Sequence, residues 1–205
     1  MFKFNPLSGW HVLSSNINND VCAPDEVIPA AHEHTFFVIS IKKFLVLYFM
    51  TMGLYLYVWL FEHWKQYRKA TGVKVWVGPR TLLGVIMIFS LFAKVDKALC
   101  ESGRIYVWYP TVRAVLIFTL GSVAAYFALV LDSAVLSGWL AVANMLLLAV
   151  MGGLLIGAQR AVNFLEKDPT GQSNSAFSLT NVVWIVLGAL VWLLWFLGVC
   201  LLLAQ

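Results

Sequence analysis

The length of its uncharged runs limits most strongly what this chain can fold into. Phe44 to Phe61 contains no Asp, Glu, Lys or Arg, and neither does Ala114 to Leu131, Ser133 to Ala158 or Ser178 to Gln205. A helix that crosses a bilayer needs roughly 20 mostly apolar residues. Lipid cannot satisfy the backbone groups of an open strand, so such runs are read as helices, and they lack the two-residue alternation of a membrane barrel. Composition points the same way. The chain is 61% hydrophobic and 12% charged, whereas an ordinary soluble domain is about a quarter charged. The expectation is an all-α membrane protein with about four transmembrane helices, near 40–61, 112–131, 135–158 and 179–203. They form a single helical domain over 36–205, behind an acidic N-terminal tail over 1–35.

The first span is expected to act as the insertion signal, because polar residues such as "SSNINND" interrupt the region where a cleavable signal would carry its apolar core. No lipidation motif is visible. Cys22, Cys100 and Cys200 are odd in number and scattered, which excludes a disulfide framework built within the chain.

Charge is distributed unevenly. Between Glu62 and Arg113 nine bases (Lys65, Arg68, Lys69, Lys74, Arg80, Lys94, Lys97, Arg104 and Arg113) face only Glu62, Asp96 and Glu101. Loops rich in Lys and Arg stay in the cytoplasm. The change of character within "LYVWLFEHWKQYRKATG" therefore reads as the cytoplasmic exit of the first span. Trp59, Trp64, Lys65, Tyr67, Arg68 and Lys69 are expected to anchor it at the membrane surface. The acidic N-terminus then lies on the opposite, periplasmic side. Lys42 and Lys43 fit this badly, since it places them at the outer end of the first helix. The alternative is a re-entrant first hairpin bent near Gly53, with the N-terminus inside. Residues 79–99 open on Pro79, a favoured helix start, but their uncharged core is short. They read as a cytoplasmic-side amphipathic or re-entrant helix, with a fifth span as the alternative.

Candidate functional groups are few. His32 and His34 in "HEHTFF" could ligate zinc or copper, though no standard ligand spacing accompanies them. Glu62, His63 and Lys65 stand at the membrane exit, where a Glu/His pair could relay protons and the Glu62/Lys65 spacing supports a helix end. Asn144 is the main strongly polar side chain deep within a run and is expected to bond to a neighbouring helix. Ala149, Gly153 and Gly157, at four-residue steps, form a small-residue seam for helix packing within this chain or to a partner. Trp184, Trp192 and Trp195 are candidate contacts to a partner or lipid. Nucleotide, hydrolase and metalloprotease signatures are absent, and the basic segment, flanked by apolar runs, reads as membrane-facing rather than nucleic-acid-binding.

The stretch "FFVISIKKFLVLYFMTMGLYLYVWLFEHWKQYRKATG" resembles the opening of a family of uncharacterised bacterial inner-membrane proteins. That family carries an FFxVSxxK element, a TxGLY element and a pair of spaced tryptophans. Here they fall on Phe36, Phe37, Val38, Ser40, Lys43, Thr51, Gly53, Leu54, Tyr55, Trp59 and Trp64. "PRTLLGVIMIFSLFAKV", "QRAVN" and the Trp/Gly-rich last run extend the likeness. The N-terminal tail is longer than the pattern, and Phe61-Glu62 replaces a more neutral pair. The resemblance implies a compact bacterial inner-membrane protein and brings no activity or cofactor with it.

Two functions are consistent with these features. One is a non-catalytic subunit or assembly factor of a larger membrane complex, with other integral membrane subunits and phospholipids as partners. The other is a small transporter or lipid-handling protein at the inner leaflet. Were the chain a membrane enzyme, His63, Asp96 and Glu101 would be its candidate groups.

Overall fold

The computed structural model describes residues 34–130 and 134–203, excepting the side chains of 127–141 and 202–203. Cys22, His32 and nearly all of the acidic tail lie outside the described residues. Among those described, every regular element is helical: α1 (Ile41–Met50), α2 (Tyr55–Thr71), α3 (Val77–Leu82), α4 (Gly84–Glu101), α5 (Pro110–Val130), α6 (Ala134–Leu165), a 3-10 turn (Gln172–Asn174) and α7 (Leu179–Leu203).

The first expected span, 40–61, is two helices rather than one. The chain breaks at Thr51–Leu54, where Met52 (φ 50°) and Gly53 (φ 86°) take left-handed backbone angles. Glycine adopts them without a Cβ penalty. The Thr51 hydroxyl donates to the Leu47 carbonyl at 2.8 Å and accepts the Tyr55 N–H at 2.9 Å, closing α1 and opening α2. The two helices then run antiparallel. Phe44 meets Trp59 (ring centroids 6.1 Å apart), Phe37 meets His63 (5.9 Å) and Phe36 stacks on Tyr67 (5.7 Å). A ten-residue α1 rises about 15 Å, half the roughly 30 Å apolar thickness of a bilayer.

This hairpin places its two ends together. Gln66 donates to the His34 carbonyl at 2.7 Å, so the segment entering α1 and the basic end of α2 share one face, not opposite ones as expected for the tail. The misfit of Lys42 and Lys43 disappears with it, because both stand at the same end as Lys65 and Lys69.

A second reversal follows. After the left-handed Gly72 cap the chain turns back along α2, and the Arg80 guanidinium stacks over Trp64 at 4.6 Å. It breaks again at Leu83, and α4 descends until Lys94 donates to the Tyr67 hydroxyl at 3.1 Å. Residues 79–99 are therefore two helices. The longer buries Ile88, Leu91, Phe92, Val95 and Leu99 along one stripe, the pattern of a helix laid against a core. Helix α5 returns antiparallel to α4, with Phe89 meeting Phe118 at 6.2 Å. Helix α6 descends beside α5, and α7 climbs along α1, where Trp192 donates to the Phe49 carbonyl at 2.9 Å.

The result has two unlike ends. The basal end gathers 34–40, the α2–α3 connection, the α4–α5 connection and the loop 166–178. There Arg104 donates to the carbonyls of Phe164 (2.7 Å) and Leu165, closing the C-terminus of α6, where a cation is favoured by the helix dipole. In the loop, Asp168 accepts the N–H groups of Ser173 (2.8 Å) and Gln172 (2.9 Å). Those bonds, Ser173 foremost, hold its carboxyl near a pKa of about 2. The distal end, around the α1–α2 turn, carries no charge among the described residues. Two helices are long and apolar enough to cross a membrane, Val142–Leu165 within α6 and Leu179–Leu201 within α7, while Pro110–Tyr126 of α5 is a shorter apolar stretch. The difference from four expected spans arises first at the broken 40–61 run.

Candidate functional site

At the basal end an extended segment, 35–40, is buried without strand partners. Its backbone groups are met by side chains. Glu166 accepts the N–H groups of Phe36 (2.8 Å) and Thr35 (3.1 Å). His63 Nδ1 accepts the N–H of Phe37 at 3.3 Å, and Gln159 donates to the Phe37 carbonyl at 3.0 Å. Asn174 donates to Val38 O at 2.9 Å and Asn163 to Ile39 O at 3.0 Å. Gln159 and Asn163 stand at i and i+4 on one face of α6, and Glu166, at i+7 just past its last residue, continues that face. Leaving buried backbone groups unmet is costly, so this ladder fixes where α1 begins.

Gln159 is the hub of the ladder. Its Oε1 accepts the indole N–H of Trp59 at 2.5 Å and lies 3.4 Å from His63 Nε2, while its Nε2 donates to Asn163 at 2.7 Å. His63 therefore receives a backbone proton on Nδ1 and carries its own on Nε2, the neutral tautomer. It is fully buried and cannot relay protons to solvent. Glu62 binds Lys65 at 3.1 Å on the exposed side. Asp96 accepts the Trp108 indole N–H at 2.9 Å and Glu101 pairs with Lys97 at 3.7 Å. The three candidate catalytic groups thus stand in separate settings.

His34 Nδ1 lies 3.2 Å from Glu166 Oε2, and among the described residues no group of three His, Cys, Asp or Glu side chains could hold a metal ion. Burial pushes the Glu166 carboxyl above its ordinary range, although the N–H bonds of Phe36 and Thr35 pull it down.

Trp59 and Trp64 do not anchor the protein at a membrane surface: both indoles are fully buried. The apolar ring area expected to face headgroups packs instead against α1 and α3. Lys65, Arg68 and Lys69 are exposed at the basal end and Tyr67 is partly so. Gly157 lies where a Cβ would stand 2.2 Å from the Arg113 guanidinium, whereas nothing stands within 4 Å of one on Gly153. Ala149 is exposed as well, so these two look outward. Trp184 packs against the core, and Trp192 bonds the end of α1.

Asn144, Trp195, Tyr48, Met52 and Tyr57 meet at the distal end. They line a cleft of about 370 Å³ between the hairpin turn, α5, α6 and α7. The Tyr48 hydroxyl is taken up by the Leu148 carbonyl at 3.3 Å. Asn144 makes no hydrogen bond among the described residues, contrary to the expected bond to a neighbouring helix. In the sequence Gln159 and Asn163 are marked only by the "QRAVN" likeness, and Glu166 by nothing. Their signal was polar spacing on one helical face at the edge of an apolar run.

In comparisons with protein-family models, curated proteins and solved structures, nothing matches this chain.

Proposed function

We propose that this is a small multi-pass membrane protein that handles an amphipathic, lipid-like molecule, held in the cleft at the tip of the α1–α2 hairpin. Two apolar helices of spanning length support the membrane placement, and the basal Lys and Arg residues favour that end facing the cytoplasm. The sequence likeness fits a bacterial inner membrane. On this placement α1 enters from the cytoplasmic side, reverses at about mid-depth and leaves by the same side. Non-helical backbone at that depth is tolerated where it is buried in protein or lines a cavity.

One observation carries the reading: Asn144, half-buried on a helix of spanning length, lines the cleft, and its amide has no hydrogen-bond partner among the described residues. A polar group in an apolar setting is costly unless it is met, and a ligand with a polar group and an apolar body meets it. Apolar lining with a few polar groups is the usual make-up of a small-molecule site.

The test is mass spectrometry of the protein purified in mild detergent, beside Asn144→Leu. The expected result is a defined amphiphile bound one to one, lost or exchanged for an indiscriminate mixture in the variant. Purification without any bound amphiphile, together with a stoichiometric protein partner, would overturn the reading in favour of a second one. In that alternative the chain is a non-catalytic subunit of a larger membrane complex. The outward-looking Ala149 and Gly153 favour it, since small residues on an apolar helix let a partner helix approach closely.

A further inference from the structure

A second cleft, of about 350 Å³, opens between the last turns of α4 and the first turn of α5. Its lining changes along its length. Asp96, Lys97 and Thr111 supply an acid, a base and a hydroxyl, whereas Phe89, Phe92 and Ala114 supply an apolar wall. The polar part lies next to the basal loops and the apolar part nearer the helix middles, the order of a lipid's own headgroup and chains.

We propose that this cleft binds a zwitterionic phospholipid carrying a primary ammonium, such as phosphatidylethanolamine, with its phosphate at Lys97 and Thr111 and its ammonium at Asp96. Asp96 gives one oxygen to the Trp108 indole at 2.9 Å, which fixes the carboxylate and leaves its other oxygen to accept from a cation. Lys97 reaches Glu101 only at 3.7 Å, and its side chain is 53% exposed, so that pair yields to a phosphate. Neighbouring side chains of opposite sign match a headgroup that bears both charges. An anionic headgroup without an ammonium, such as phosphatidylglycerol, brings the same phosphate to Lys97 but offers Asp96 only neutral hydroxyls, so the carboxylate loses its opposite charge. The Phe89 and Phe118 rings, 6.2 Å apart, continue the wall toward the acyl region.

The proposal rests on the membrane placement above but not on the hairpin cleft. Its test is native mass spectrometry of the full chain in detergent, titrated with phosphatidylethanolamine, phosphatidylcholine or phosphatidylglycerol. One phosphatidylethanolamine is expected to be retained about tenfold over phosphatidylglycerol, the scale of one good charge contact. It is also retained over phosphatidylcholine, whose methylated ammonium cannot donate to Asp96. Asp96→Asn keeps an oxygen for Trp108 and is expected to abolish the preference, while Lys97→Gln weakens both phosphatidylethanolamine and phosphatidylglycerol. Asn144→Leu leaves the preference intact. Equal retention of the three lipids, or an unchanged preference in Asp96→Asn, overturns the proposal. So does loss of phosphatidylethanolamine in Asn144→Leu, which assigns the lipid to the hairpin cleft instead.

Discussion

The carbonyl oxygen of Met50 lies 2.0 Å from the point where a Cβ on Gly188 would stand. Helix α7 therefore rests its bare backbone on the end of α1, and one turn further along, Trp192 gives a second hydrogen bond to the neighbouring carbonyl of Phe49, which already accepts the Met52 N–H at 3.1 Å. The last carbonyls of a helix lack partners within it, so α7 covers and completes the hairpin turn. Gly188→Ala pushes a methyl group into backbone that cannot swing aside. It is expected to destabilise the protein by about 1–3 kcal/mol, the usual scale of overpacking, read as a lowered unfolding midpoint in detergent. Gly153→Ala, with open space around it, is the control and should stay within about 0.5 kcal/mol of the parent.

Gln159→Leu strips the hub from the basal ladder. The Trp59 indole, the Phe37 carbonyl and the Asn163 amide each lose a partner. An unmet buried polar group costs about 1–3 kcal/mol, and relaxation recovers part of the sum, so a loss of about 2–4 kcal/mol is expected on denaturant titration. Asn144→Leu removes no hydrogen bond to a described residue and should leave the midpoint nearly unmoved. Equal losses in the two variants would place Asn144 in the folding core and remove it as a ligand group.

Helical class was legible in the sequence because uncharged runs leave few alternatives. The break within 40–61 was legible as the alternative to a straight span, a hairpin bent near Gly53, which Lys42 and Lys43 favour. Their positive charge conflicts with a straight helix and agrees with a hairpin. The turn rests on Gly53, where that alternative places the bend, and on Met52, whose left-handed angle periodicity does not flag. Trp59 and Trp64 misled because an indole in an apolar run next to charge looks like a headgroup anchor. Only the fold shows Gln159 taking the Trp59 N–H and Arg80 covering Trp64. Nor could spacing alone have located the clefts. The distal one joins Tyr48 to Trp195 across nearly the whole chain, and the α4–α5 cleft depends on the reversal at Leu83.

Glu166 and Asp168 predict opposite responses to pH. The folded pKa of Glu166 is raised above its ordinary 4.5 by burial. The folded chain then keeps a proton that the unfolded chain has lost, and this contribution to stability, present below pH 4.5, falls away as pH rises through the raised value. Asp168 is lowered from 3.8 to about 2 by its bonds to Ser173 and Gln172. Its contribution is present above pH 3.8 and is lost as pH falls toward 2. Comparing Glu166→Gln and Asp168→Asn with the parent by thermal unfolding across pH 2–7 separates the two. The parent's advantage over Asp168→Asn should shrink on acidification, and the gap to Glu166→Gln should move against the parent above pH 4.5. A flat difference for either variant would mean that its carboxyl titrates alike in the folded and unfolded chains.

The hairpin itself is tested by side-specific labelling. In a chain with Cys22, Cys100 and Cys200 replaced by serine, single cysteines at Lys42 and Lys69 report the two ends of the α1–α2 unit, both exposed positions. A straight helix over 40–61 puts these positions on opposite sides of a membrane. The antiparallel pairing of Phe44 with Trp59 and Phe36 with Tyr67 puts them on the same side. A membrane-impermeant maleimide applied to sealed vesicles should therefore modify Lys42→Cys and Lys69→Cys together and spare Leu201→Cys, or the reverse in vesicles of opposite orientation. This comparison does not depend on which way the protein faces. It depends on the reversal at Met52–Gly53, and labelling of Lys42→Cys and Lys69→Cys from different sides would replace the hairpin with a single crossing and remove the cleft at its tip.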